Sequence, residues 1–297
     1  MKIYILDVQE KLQPSSQRFR YPGHNKDYGV EQDFLVWLKR NPGLLTNNPE
    51  EANWHYLPIF WTRWHINHDF AKNGVQELQT IVNDIIIDDS KTFTITQYDD
   101  GPVIDIGQSI QFLSSRNNET GIDIPLLCSK DKSPFIIRTK KYLASFNGNF
   151  ETHAIRKEML KTFSNNSDVV ISGNTPRNFI KRILYGKPFI DNILRSYIGL
   201  APRGYGGSSF RFYEIMQLGI APCLIGEHDV RPFKKFIDWD KISYYVKTVA
   251  ELEHLLINLN KEDALVKGRL AKRFYKQELK YQSWCKYVIQ ELKAISD

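Results

Sequence analysis

The residues from Tyr197 to Pro222 carry the densest chemical signal in the chain, reading strand, glycine-rich turn, helix, strand. Gly204, Gly206 and Gly207 let backbone N–H groups come close to a ligand. Ser208 or Ser209 can cap the helix that follows, and a helix N-terminus attracts anions. Arg203 and Arg211 flank the turn and can offer guanidinium forks to a diphosphate. Glu214 lies three residues beyond Arg211, on nearly the same helical face, where a carboxylate could accept both hydroxyls of a ribose. The turn is neither a Walker loop, since no Gly-Lys-Ser/Thr follows, nor a dinucleotide fingerprint, since Gly204-x-Gly206 lacks its third glycine. On spacing alone an ordinary glycine turn and a surface Arg–Glu pair are the commoner outcome.

The elements that must position these groups alternate between strand and helix, the pattern of α/β layers with parallel sheets. In the first half, 2–7, 54–60, 93–97 and 103–106 read as strands. Phe34, Trp37 and Leu38 mark a short helix, and Val75, Leu78, Ile81, Val82 and Ile85 follow the 3.6-residue period of a longer one. The polar stretch 113–134 reads mostly as loop. In the second half, 135–138, 142–146, 168–172, 197–201 and 220–225 read as strands, and 153–163 and 209–218 as helices. Tyr281, Trp284, Val288, Leu292 and Ile295 form a final helical stripe.

The bulk composition fits a globular chain of two domains: 297 residues, 42% hydrophobic and 25% charged. The formal net charge of +6 is uneven. Residues 1–145 hold 16 Lys/Arg against 18 Asp/Glu, and residues 146–297 hold 24 against 16. A basic second half suits a phosphate-bearing partner, although a solvated basic surface produces the same count. Nucleic acid is a less favoured partner, because no zinc-finger spacing, RNP-like strand or basic region leading into heptads accompanies the charge. Cys128, Cys223 and Cys285 are far apart and form no C-x-x-C pair, which suggests a reducing compartment. The N-terminus carries no signal-peptide pattern and no run of eighteen apolar residues occurs, so a soluble, cytoplasmic chain without a membrane span is expected.

The central segment resembles the signature of the exostosin family of glycosyltransferases. Ala201-Pro202-Arg203-Gly204, Ser209-Phe210-Arg211, Glu214 and Gly219-Ile220-Ala221-Pro222 match it in order. Pro232-Phe233, Asp238-Trp239, Ile242-Ser243, Phe146-Asn147-Gly148, Ile155-Arg156 and Tyr56-Leu57-Pro58 resemble its further elements, covering 145–245 well and the first half thinly.

The resemblance implies an α/β fold of GT-B type, two Rossmann-like domains facing across a cleft. They are expected at 1–140 on the acceptor side and 141–297 on the nucleotide-sugar side, with the last helix able to pack back on the first domain. It implies an inverting transfer from a UDP-sugar donor to a glycan acceptor hydroxyl. By position, Glu214 would hold the ribose, and Arg203, Gly204, Ser208, Ser209 and Arg211 would face the diphosphate. Arg156 is a second diphosphate candidate or a surface arginine, and Asn174 and Thr175 are candidates for the base or for loop capping. A direct displacement needs a general base, expected from the first half: Asp69 first, then Asp100 and His65. Asp99-Asp100-Gly101 also fits a plain turn. Two histidines three apart, His65 and His68, lack further ligands, so no metal is expected and no cofactor beyond the donor. Trp54, Phe60, Trp61 and Trp64 could stack a sugar or form core. Missing disulfides and anchor set the chain apart from better-known family members. A degenerate, catalytically inactive carbohydrate- or partner-binding module, or less readily a nucleic-acid-binding protein, are the other readings.

Overall fold

A computed structural model describes residues 1–15, 29–117, 119–127, 137–173 and 188–296. The chain divides into two compact units, 1–130 with 279–297, and 131–278. The boundary falls ten residues before the 140/141 expected from the sequence, and the last helix groups with the first unit, the arrangement the resemblance allowed.

The first unit is built on a parallel sheet in the order β1 (Ile3–Ile5), β2 (Trp54–Tyr56), β3 (Thr92–Thr96), β4 (Ile110–Leu113) and β5 (Ile122–Asp123). Successive strand residues face opposite sides, and β3 shows both. Phe93 joins an aromatic layer with Tyr56, Phe112 and Phe34 of helix α1 (Gly29–Lys39), at centroid distances of 5.1, 6.0 and 5.9 Å. Thr94 turns the other way and accepts a 2.7 Å hydrogen bond from the Trp61 indole of α2 (Trp61–Asn67). On that side Trp61 and Trp64 pack with Leu78 and Val82 of the predicted amphipathic helix, α3 (Val75–Ile85).

Trp54, Trp61 and Trp64 are thus buried core, and among the four aromatics proposed to stack a sugar only Phe60 is partly exposed. The run 54–60 is strand only to Tyr56. No strand forms at 103–106, where Val103 takes a left-handed φ of 54°. Instead β4 and β5 arise at the edge and inside of the stretch read as loop.

The second unit's sheet is also parallel, ordered β10-β9-β8-β6-β7. Its strands are β6 (Tyr142–Asn147), β7 (Val169–Ser172), β8 (Ser196–Pro202), β9 (Ala221–Ile225) and β10 (Tyr244–Val246). Helices α4 (Ala154–Thr162), α5 (Pro188–Leu194), α6 (Phe210–Leu218), α7 (Val249–Ile257) and α8 (Lys261–Phe274) cover it. Phe146, Met159, Ile198, Leu200, Cys223 and Ile225 lie in its core. The chain closes with α9 (Cys285–Ser296), preceded by Trp284, which is fully buried against Phe34 in the first unit. The elements β10, α7 and α8 go beyond the sequence expectation. Among the described residues no helix is long and apolar enough to cross a membrane.

Two glycines allow close contact in the second unit. Gly219 ends α6 with a φ of 77°, a left-handed cap. Gly268 of α8 lies so near it that an added Cβ would sit 2.5 Å from the Gly219 carbonyl oxygen. Gly268→Ala should therefore destabilise the protein by about 1–3 kcal/mol by chemical denaturation, although alanine is the better helix former.

Candidate functional site

In the second sheet the chain moves from β6 to β7 on one side, then crosses to β8, β9 and β10 on the other. The switch point lies between β6 and β8, and open α/β sheets bind ligands outside the carboxyl ends of the strands at such a point. Those ends are Asn147 and Pro202, and the predicted turn starts directly after Pro202.

Arg156, on α4, is buried there and donates to three main-chain carbonyls: Arg203 through Nε at 2.8 Å, Asn149 through Nη1 at 2.9 Å and Pro202 through Nη2 at 2.9 Å. Its guanidinium also lies 5.3 Å from the Phe146 ring centre. Arg156 is thus neither a surface arginine nor an open fork for a diphosphate; it ties the ends of β6 and β8 together. An added Cβ on Gly204 would come within 3.2 Å of its Nη2, so glycine is what lets the turn settle on this arginine.

Ser209 is the N-cap of α6, its hydroxyl accepting from the Arg211 N–H at 3.4 Å. Ser208 and Ser209 are both buried. Arg211 is held on three sides: Nη1 pairs with Glu214, Nε donates to the Asn147 carbonyl at 3.0 Å, and its guanidinium lies 4.1 Å from the Phe189 ring centre. Its side chain remains 21% exposed while that of Glu214 is 1% exposed. Glu214 is therefore the buried counter-charge of Arg211 and does not present an open carboxylate to a ribose. Burying a carboxylate requires a partner, and Arg211 supplies it. Arg203 reaches the other side of the turn and donates to Glu227 at 2.6 Å. Asn174 and Thr175 lie outside the described residues.

The three base candidates sit in the first unit. His65 is fully buried, its Nε2 3.1 Å from the Gly101 carbonyl and its ring 4.1 Å from that of Tyr98. Burial pushes its imidazole down to about 4. It supports the 98–101 turn and is no acceptor-facing base. Asp100 is exposed in that turn and accepts from Asn117 at 3.2 Å. Asp69 begins three successive left-handed residues, Asp69, Phe70 and Ala71, with φ of 51°, 60° and 60°. Such conformations cost energy for residues with a Cβ and gather at functional loops. Among the described residues no group of three His, Cys, Asp or Glu side chains is placed to hold a metal ion.

Glu31, on α1, carries no signal in the sequence. Its fully buried carboxylate accepts from the Thr62 N–H at 3.2 Å, the Thr62 hydroxyl at 2.8 Å and the Gln97 N–H at 2.9 Å, joining α1 to the start of α2 and the end of β3. The roles of Asn147, Phe189, His153 and Glu227 also carry no sequence signal, because the charged group each one meets lies far along the chain.

Two α/β units, each on a five-stranded parallel sheet, with arginines gathered at the switch point of the second, are consistent with the GT-B class of glycosyltransferase. The chain belongs to the Exostosin GT47 domain family, whose profile matches residues 98–259. It is 24% identical to a "Probable glucuronosyltransferase 47 A" of Physcomitrium patens over 91% of this chain and 68% of that protein. It is 23% identical to an "Exostosin-1 homolog" of Caenorhabditis elegans over 82% of this chain and 72% of that one. A looser likeness joins it to the crystal structure of TarM, at 11% identity and a TM-score of 0.36, covering 76% of this chain and 60% of that one.

Burial pushes the Glu31 carboxyl up to about 8, against the pull of its hydrogen bonds. An unfolded glutamate ionises near roughly 4.3, so between these values the folded chain keeps a proton that the unfolded one has lost. Stability from this group therefore falls as pH rises through that window. His65, pushed down, acts in the opposite sense below roughly pH 6.5. Comparing wild type with Glu31→Gln isolates the first effect. Urea titrations from about pH 5 to about pH 8 should show wild type losing at least roughly 1 kcal/mol relative to the variant.

Proposed function

We propose that this protein is an inverting glycosyltransferase that moves a sugar from a UDP-sugar to a hydroxyl of a glycan acceptor. The observation that carries this reading is Arg211, fixed by Glu214, the Asn147 carbonyl and Phe189 at the start of α6 and at the sheet's switch point. A partly exposed guanidinium held this firmly is suited to a diphosphate, because little side-chain freedom is lost when the ligand arrives. The α6 N-terminus adds its dipole, and Arg203 adds a second guanidinium across the turn.

In the proposed reaction the acceptor oxygen attacks the anomeric carbon as its bond to the diphosphate oxygen breaks. The departing negative charge is stabilised by Arg211, Arg203 and the helix dipole, so no metal or further cofactor is invoked. The acceptor proton passes to a general base, for which Asp69 is favoured over Asp100. Asp69 lies in the left-handed run after α2, whereas Asp100 is the exposed member of a turn. Glu214 acts first as the partner of Arg211, and a ribose diol reaches it only by sharing that pair. Asn174 and Thr175 stay candidates for contacting the nucleobase or for capping a loop. The first relative's name supports glucuronic acid as the first sugar to try.

The test is a thermal-shift and donor-hydrolysis screen of the purified chain against UDP-, GDP- and CMP-sugars, with and without EDTA. One UDP-sugar should stabilise the protein equally in both conditions and release UDP slowly. Arg211→Ala should weaken UDP binding by about 10- to 100-fold with an unchanged circular dichroism spectrum. No stabilisation by any nucleotide would overturn the proposal.

A further inference from the structure

Glu227 follows β9 after Gly226 and reaches back over the turn after β8. One carboxylate oxygen accepts from Arg203 Nη1 at 2.6 Å, and the other lies 3.8 Å from His153 Nε2. The Glu227 side chain is 52% exposed and that of Arg203 12% exposed, so the carboxylate covers the arginine from the solvent side. His153 caps α4, its Nδ1 accepting from the Ile155 N–H at 3.3 Å. That bond leaves the neutral ring's proton on Nε2, the nitrogen facing Glu227. Behind both, Arg156 is fastened to the Pro202 and Arg203 carbonyls. The Tyr245 hydroxyl lies 3.0 Å from the Gly226 carbonyl and 3.2 Å from that of Glu227, where it can donate to either. The loop backbone is thereby anchored, and the carboxylate alone rides on a flexible side chain.

Arg203 and His153 thus present N–H groups to one exposed anion, supplied by a different loop, at the point where the proposed diphosphate belongs. We infer that Glu227 is an internal stand-in for a phosphate: its carboxylate occupies an anion subsite formed by Arg203 and His153, and a nucleoside diphosphate displaces it on binding. The inference rests on the nucleotide reading above and adds His153 to the groups that hold the ligand. The resting charges agree with it. Against the effect of partial burial, the Arg203 hydrogen bond holds the Glu227 carboxyl below its usual range. Burial, with Arg203 and Arg156, holds the His153 imidazole down against the pull of Glu227. A diphosphate carries more charge than one carboxylate and can engage guanidiniums bidentately, which is what allows it to win the exchange.

Calorimetric titration of the full chain with UDP, and separately with inorganic pyrophosphate, tests this. Glu227→Gln and Glu227→Ala each remove the competing charge, and both should bind UDP on the order of fivefold tighter than wild type. His153→Asn retains an N-cap oxygen for α4 but loses the Nε2 donor, and should bind UDP severalfold more weakly. Pyrophosphate should follow the same order, because the subsite reads phosphate and not the nucleoside. If wild type binds UDP while both Glu227 variants bind equally or more weakly, the stand-in assignment is overturned and the nucleotide site survives. If His153→Asn binds as wild type does, the histidine is not part of the subsite. If wild type binds neither UDP nor pyrophosphate, the nucleotide reading itself fails.

Discussion

A carbonyl at the end of a parallel strand must find a donor that no neighbouring strand provides, and in the second unit Arg156 provides it. One buried guanidinium satisfies the carbonyls of Pro202, Arg203 and Asn149, at the ends of two strands that diverge in the chain's path. The cost of taking that charge out of water is offset by three hydrogen bonds and the face of Phe146. The glycine at 204 is a consequence: the turn closes over the arginine so tightly that a Cβ would crowd it. The turn that leads to α6 is thereby fastened at its first residues.

The same unit gathers several positive groups in a small volume and balances each differently. Arg156 is answered by main-chain carbonyls, Arg211 by the buried carboxylate of Glu214, and Arg203 by the exposed carboxylate of Glu227. Burial separates these roles. A buried counter-charge such as Glu214 orients its partner, since exchanging it would leave an unpaired charge inside the protein. An exposed one such as Glu227 can be exchanged with solvent or with another anion at small cost.

The first unit uses a carboxyl group for a structural purpose. Glu31 gathers donors from the start of α2 and the end of β3, elements that also carry the loops of Asp69 and Asp100. Its burial holds a proton well into the neutral range. His65, near the 98–101 turn, is kept neutral by the same cause acting on a base. Histidine and carboxylate, the residue types most readily taken for catalysts, here brace the turns that carry the exposed candidates.

What the sequence determined by itself was local. Periodicity marked α3 and α9, apolar runs marked the central strands, and Ser208 or Ser209 marked the start of α6, because caps and periods depend on residues a few positions apart. The ordered motif from Ala201 to Pro222 indicated the family for the same reason. Strand limits were less legible: 54–60 reads as one apolar run, yet only Trp54–Tyr56 pair as strand, and 57–60 lead without regular structure into α2 at Trp61. Tertiary structure alone decided which charges are open and which are closed. Glu214 and Arg156 differ from Glu227 and Asp100 by burial, and burial depends on contacts between residues such as Arg156 and Pro202, or Arg203 and Glu227, that lie 46 and 24 positions apart.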